Sequence, residues 1–269
     1  MSDVSAAIAT VVAAGVTVFA SSGDSGVTDC VDANGNPVPD LRSVDYPASD
    51  PLVIGVGGTT LNYETTSGQY SQVGWNDGHG ASSGGGISVW PRPDYQPSSF
   101  PARLVPDIAA DADAASGLMV WATTQSGSPP SGPYVPQSLL VGGTSLASPI
   151  SAAMFTTTLA DHGFSTGIGD IHANVYGAAA SSFINITSGF NGTPAVVGYD
   201  TMTGRGAPLW DRLVASYDGS PTITPPLWLS SRSVPLRAKA PSGMGYAQWS
   251  AGFGAAPSSC DRTGLSVTG

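Results

Sequence analysis

Apolar residues along this chain gather in short unbroken runs separated by clusters of Gly, Ser and Pro. Such runs read as strands buried on both faces, where strict alternation would mark a half-exposed sheet. Strands are therefore expected at residues 16–20, 52–56, 118–122 and 138–141, and helices over 4–14, 145–160 and 170–179. Strands alternating with helices predict an α/β fold around a mostly parallel sheet. The opening apolar stretch, residues 6–20, has the length of a signal-peptide core. Asp3 precedes it and no Lys or Arg does, so the helix-and-strand reading is preferred. No apolar stretch reaches the roughly 20 residues of a membrane span, and no membrane partner is expected.

Composition narrows the function. Asp, Glu, Lys and Arg make up 10% of the 269 residues, against 41% hydrophobic, and the polar character comes from Ser, Thr, Asn and 35 glycines. The formal charge of −10 leaves no basic stripe for phosphates, which excludes nucleic acid as a partner. Glu64 is the sole glutamate. A surface poor in ionisable groups changes charge little as carboxylates protonate, which suits work in acid. Cys30 and Cys260 lie far apart without metal-ligand spacing and are read as two unrelated thiols.

Chemistry concentrates in a few segments. In Leu139-Leu140-Val141-Gly142-Gly143-Thr144-Ser145-Leu146-Ala147-Ser148-Pro149 a buried strand runs through two glycines into an apolar helix. Ser145 would stand at that helix N-terminus, where free N–H groups can stabilise an oxyanion. The plainer reading is that Thr144 or Ser145 caps the helix. In Ser21-Ser22-Gly23-Asp24-Ser25-Gly26, Asp24 is open to two readings. With His79 and Ser145 it gives the Asp–His–Ser order of a subtilisin triad. Alternatively it ends the strand that supplies an oxyanion-hole residue.

The next motif separates these. Tyr46-Pro47-Ala48-Ser49, followed by Val56-Gly57-Gly58-Thr59-Thr60-Leu61, resembles the sedolisin family of serine-carboxyl peptidases within the subtilisin-like superfamily. The same family is approached by Gly84-Gly85-Gly86-Ile87-Ser88 with Tyr95-Gln96, and by Arg103 with Pro106-Asp107 and Ala110-Asp111. The resemblance runs in unbroken order over about residues 4–215. It implies a three-layer subtilisin-like α/β fold with a mostly parallel central sheet. It implies an acid-acting, secreted endopeptidase with Ser145 as nucleophile and Asp24 in the oxyanion hole, acting on peptides or proteins. His79 lies in a Gly-rich loop and is read as solvated. Asp107 and Asp111 have no catalytic counterpart, and the pair is read as loop capping and a buried hydrogen-bonded carboxylate.

The resemblance further places a calcium site on Asn185, the carbonyls of Ile186, Val196 and Gly198, and Asp200. Asn185 stands where the family has Asp and Val196 where it has Gly. Oxygen donors in Gly-rich turns suit Ca²⁺. Asn185-Ile186-Thr187 and Asn191-Gly192-Thr193 also match glycosylation sequons. The family's general base is a Glu, oriented by an Asp, on an upstream helix, and no residue here matches it. Residues 1–218 are therefore expected to be an incomplete peptidase domain, with the missing N-terminal segment of the same protease as a partner. Its absence should leave apolar surface beside the first strand and Cys30 unpaired, its family partner being upstream. Residues 219–269 turn basic and lose all periodicity, and are read as a tail, linker or disordered extension. Two rivals remain: a His79-dependent subtilisin-type protease, and a non-catalytic, calcium-stabilised scaffold.

Overall fold

Helix α1, Ser2–Ala13, ends at Gly15 (φ 92°) and feeds strand β1, Val18–Ser21. The architecture comes from a computed structural model that describes residues 2–30, 38, 41–125 and 132–217. Strand β2, Val53–Glu64, is the spine of the sheet. It pairs with the antiparallel β3, Gln69–Gly74, and with the parallel β4, Ile108–Asp111. β1 also runs parallel to β2, with Val18 opposite Val53 and Ser21 opposite Val56. Val56 pairs with both Ser21 and Ile108, so β1 and β4 flank β2 on opposite sides. Among the described residues the outer edge of β1 pairs with no strand.

Strand β5, Leu118–Gln125, and strand β6, Tyr134–Val141, lead to helix α2, Thr144–Asp161. Helices α3, His172–Gly177, and α4, Trp210–Ala215, follow α2 in the chain. The unbroken apolar runs have a simple cause, since both faces of the parallel strands are covered. Ile54, Val56, Ile108 and Phe19 meet Phe155 and Leu159 of α2, and Trp210 and Leu213 of α4. The neighbours on the opposite face, Val53, Val18 and Ala20, meet Ile8 and Val12 of α1. Phe19, Phe155 and Trp210 form an aromatic triangle with centroids 5.5–6.1 Å apart. The result is the expected α/β/α layering.

One expectation is corrected. The runs at 118–122 and 138–141 do not join the parallel sheet; β5 and β6 form a separate antiparallel hairpin. The connection between them is too short for the crossover of a dozen or more residues that a parallel pair requires. Both faces of the hairpin carry exposed apolar side chains, Met119 (70%), Trp121 (75%) and Leu140 (56%) on one and Leu118 (50%) and Val120 (39%) on the other. The largest apolar exposure therefore lies on this hairpin, although Val4, Val11 and Val16 beside β1 are exposed as well. Residues 219–269 lie outside the described residues. No described helix is long and apolar enough to cross a membrane.

Candidate active site

Asp24 stands just beyond the end of β1, and the N-terminus of α2 meets it there. The N-cap of α2 is Gly143 at φ 84°, with no side-chain cap bond, so neither Thr144 nor Ser145 caps the helix. The missing acceptor comes from 120 residues away: Thr144 N–H donates to Asp24 Oδ1 at 2.7 Å. The Thr144 hydroxyl lies 2.7 Å from Asp24 Oδ1 and 3.1 Å from the Gly23 carbonyl, its one proton serving one acceptor at a time. Gly23 N–H returns a bond to Thr144 Oγ1 at 3.2 Å. A Cβ on residue 143 would sit 2.6 Å from Asp24 Oδ2, so glycine is required there by both its dihedral and its contact.

The Asp24 turn is held from the other side too. Ser22 Oγ donates to the Gly84 carbonyl at 2.7 Å, and Gly84 N–H to the Gly23 carbonyl at 2.7 Å. The Gly-rich run at 84–86 thus serves close backbone approach. Asp29 Oδ2 accepts the N–H groups of Asp24 and Ser25, at 2.9 and 3.3 Å. Asp45 closes on the same turn: a Cβ on Gly23 would lie 2.0 Å from Asp29 Oδ2 and 3.0 Å from Asp45 Oδ2. Burial first, then the charges of Asp29 and Asp24, push the Asp45 carboxyl up to about 7. It is therefore neutral in acid. Nothing in the spacing of Asp29 and Asp45 announced this.

Ser145 is exposed one residue past Thr144, and no described residue hydrogen-bonds its side chain. First-turn N–H groups have no acceptor within their own helix, so the Ser145 amide is available to a ligand. Pro149 lies inside α2, where its missing N–H leaves the Ser145 carbonyl without its usual partner. His79 sits on an exposed turn closed by its own N–H to Asp77 Oδ1 at 2.7 Å, and makes no side-chain bond to Asp24 or Ser145. Glu64 is exposed at the end of β2, accepting Thr66 N–H.

A second polar cluster lies in the core. Arg103 and Asp107 are fully buried and meet through two bonds of 2.6 Å. Asp107 also accepts Gly55 N–H at 2.8 Å and the Tyr176 hydroxyl at 2.7 Å. Buried His172 places Nδ1 2.6 Å from Asp170 Oδ1 and Nε2 3.2 Å from the Val53 carbonyl. Both partners are acceptors, so both ring nitrogens carry protons and the ring is an imidazolium. Tyr95 stacks on it at 4.2 Å. Burial opposes that charge, but Asp170 and then Asp107 outweigh it and raise His172 to about 9. For Asp107 burial again opposes ionisation, and Arg103 and then His172 hold it well below the carboxylate range. Asp107 is thus a buried, hydrogen-bonded carboxylate. Asp111 Oδ1 accepts the Ser116 hydroxyl at 2.7 Å in its loop.

The third cluster is the 185–200 loop. Asn185 Oδ1 accepts Gly198 N–H at 2.9 Å. Buried Asp200 accepts Val196, Met202 and Thr203 N–H groups at 2.7–3.0 Å. No described basic side chain pairs with it, and burial raises its pKa against those bonds. The donor set is hard oxygen, with one carboxylate. A buried carboxylate without a basic partner, its pKa raised by burial, is one a cation would hold in its charged form, so the residues fit Ca²⁺ with Asp200 as the carboxylate ligand. Of the two sequons, Asn191 is 6% exposed and spends its amide on the Ser83 carbonyl, whereas Asn185 is exposed. Cys30 is disulfide-bonded, which corrects the expected unpaired thiol. Sequence separation is no bar to pairing, because a disulfide depends on Cα atoms meeting within about 6 Å. Cys260 lies outside the described residues.

No protein-family model matches the chain. It is 37% identical over 216 residues to sedolisin of Pseudomonas sp. (strain 101), an alignment covering 76% of this chain and 33% of that one. It is 34% identical over 221 residues to kumamolisin of Bacillus sp. (strain MN-32), covering 75% and 36%. The solved structure of Pseudomonas sedolisin, a serine-carboxyl proteinase complexed with two molecules of pseudo-iodotyrostatin, superposes with TM-score 0.65 at 34% identity. That superposition covers 78% of this chain and 58% of the solved one. The chain belongs to the sedolisin family. Its fold is accordingly subtilisin-like, and it spans about a third of the length of the curated sedolisin relatives it matches.

Proposed function

We propose that this chain carries the nucleophile and the oxyanion donor of a serine-type endopeptidase of the sedolisin class, acting in acid on peptides or proteins. The observation that carries the reading is the 2.7 Å bond joining Asp24 to Thr144 N–H, with Ser145 next in the helix. Ser145 Oγ attacks the scissile carbonyl, whose π electrons move onto oxygen. The oxyanion accepts from Ser145 N–H and from a protonated Asp24 carboxyl. A carboxylate base takes the Ser145 proton and returns it to the leaving amine. Such a base stays unprotonated at acidities where histidine is charged.

Family resemblance assigns that base to a Glu oriented by an Asp, on a segment of the same protease beyond these 269 residues. Three observations favour a completing segment: Ser145 Oγ has no described hydrogen-bond partner, the β1 edge is unpaired, and the β5–β6 hairpin exposes apolar side chains on both faces. The chain by itself is expected to show negligible peptidase activity between about pH 3 and 8. Joined to a Glu-bearing N-terminal segment it should cleave peptides with an acidic optimum, and Ser145→Ala should abolish this. Cleavage by the chain alone that disappears in His79→Ala would favour the histidine-dependent reading. A joined protein that binds peptide and never cleaves it would favour the scaffold.

The calcium reading belongs to the same proposal. Asn185, Asp200 and the carbonyls of Ile186, Val196 and Gly198 would hold one Ca²⁺, whose role is to neutralise Asp200 and close the loop. A ligand bound only by the folded state stabilises it by mass action. Chelation should therefore lower Tm, and Asn185→Asp should lower the calcium concentration needed to restore it. Unchanged melting with EDTA for both versions would remove the ion. We place the protein outside the cell, supported by the disulfide at Cys30 and the low content of charged residues.

A further inference from the structure

Beside the α2 N-terminus lies a cleft of about 350 Å³ lined by Asp24, Trp75, Asp77, Asp113, Gly142 and Gly143. That volume is at the small end for ligand sites, suited to one side chain and its peptide unit. Gly143 is two residues before Ser145, so whatever fills the cleft adjoins the bond that Ser145 would attack. The cleft is lined by three carboxylates and no basic residue, and none of the three forms an ion pair among the described residues.

Two features give the cleft more than a local excess of charge. Trp75 is 4% exposed, and its indole N–H finds no acceptor among the described residues. Asp77 commits Oδ1 to the N–H groups of His79 and Ala81, at 2.7 and 3.0 Å, which fixes its carboxyl on a closed turn. The His79 N–H, above all, lowers the Asp77 pKa from its ordinary value. Asp113 accepts Ala115 N–H on Oδ1 and the Thr60 hydroxyl on Oδ2, both at 2.8 Å, and is held in place by them. A ligand suited to these walls brings a positive charge for the carboxylates and an apolar stem to lie against Trp75.

We propose that the cleft receives a lysine or arginine side chain on the substrate residue next to the scissile bond, with Asp77 and Asp113 as its charge partners and Trp75 as its wall. This deepens the peptidase reading and rests on Ser145 as the nucleophile. His79, on the same turn, also attracts Asp77 and competes with the ligand.

The test titrates the full 269-residue chain at pH 5 with the amides of Ala-Lys-Ala and Ala-norleucine-Ala, following the Gly142, Gly143 and Trp75 indole N–H signals by NMR. The lysine peptide is expected to bind about fivefold more tightly, a preference that salt reduces. Asp77→Asn keeps an Oδ1 acceptor for the turn, and should bring the two peptides within about twofold. His79→Gln should widen the gap. Equal affinities in the unaltered chain, an undiminished preference in Asp77→Asn, or shifts confined to other residues would overturn the assignment. The peptidase reading is tested separately, by Ser145→Ala in the joined protein. Cleavage through Ser145 without a lysine preference removes only the cleft, whereas a lysine preference without Ser145-dependent cleavage removes the peptidase.

Discussion

Replacing Arg103 with Met is expected to cost about 3–5 kcal/mol of stability near neutral pH, because it strips the buried Asp107 carboxylate of its guanidinium and leaves it His172, 3.5 Å away, as counter-charge. Arg103 makes two 2.6 Å bonds to Asp107 and a 3.1 Å bond to the Val53 carbonyl, all at zero exposure. For a domain of this size the loss corresponds to a fall in Tm of roughly 10 °C or more. The damage should lessen in acid, where Asp107 can protonate once its guanidinium is gone. The unaltered protein should show the opposite trend at high pH. His172 is raised from 6.5 to about 9, so its contribution is complete below pH 6.5 and is lost as pH rises through 9. Asp45 is raised from 3.8 to about 7, so the folded state gains a penalty as pH climbs across that window. Asp107 and Asp170 are lowered, so their contribution is present above 3.8 and fades only in stronger acid. Thermal melts from pH 3 to 9 should peak near pH 4 and fall by a few kcal/mol, roughly, toward pH 9. Asp45→Asn should flatten the lower part of that fall. A melting profile that instead rises toward pH 8 would contradict both shifts.

Asp24→Ala should reduce kcat of the completed enzyme by roughly 10²–10³-fold with little change in KM, the usual cost of removing one oxyanion donor. The same substitution removes the acceptor of Thr144 N–H, so Tm must be followed alongside activity. Asp24→Asn separates the two roles. Its amide still offers Oδ1 to Thr144 and an N–H₂ to the oxyanion, without needing a proton from solvent. It should retain activity and move the alkaline limit of the pH profile upward. Loss in Asp24→Asn as deep as in Asp24→Ala, with Tm unchanged, would remove Asp24 from the oxyanion hole.

The fold and the Ser145 turn were legible because they rest on local signals. Unbroken apolar runs marked β1, the start of β2, β5 and part of β6. The Gly142-Gly143 pair before an apolar helix marked the turn at α2. The register of β2 was less legible, since Asn62, Tyr63 and Glu64 extend it into an exposed ribbon whose only guide is its pairing with β3. The hairpin assignment of β5 and β6 needed the length of their connection, which the apolar pattern does not weigh.

The chain alone determined which residues are apolar, where backbone must pass close to backbone, and which hydroxyl begins a helix. Tertiary structure alone decided that Asp24 accepts from Thr144, that Asp45 crowds the same turn, and that Arg103, Asp107, Asp170 and His172 share one buried network. Those side chains come from segments up to 120 residues apart. Their chemistry depends on a low-dielectric neighbourhood assembled only when the layers close. A histidine next to an isoleucine carries no mark in sequence that says it will be buried, doubly hydrogen-bonded and charged.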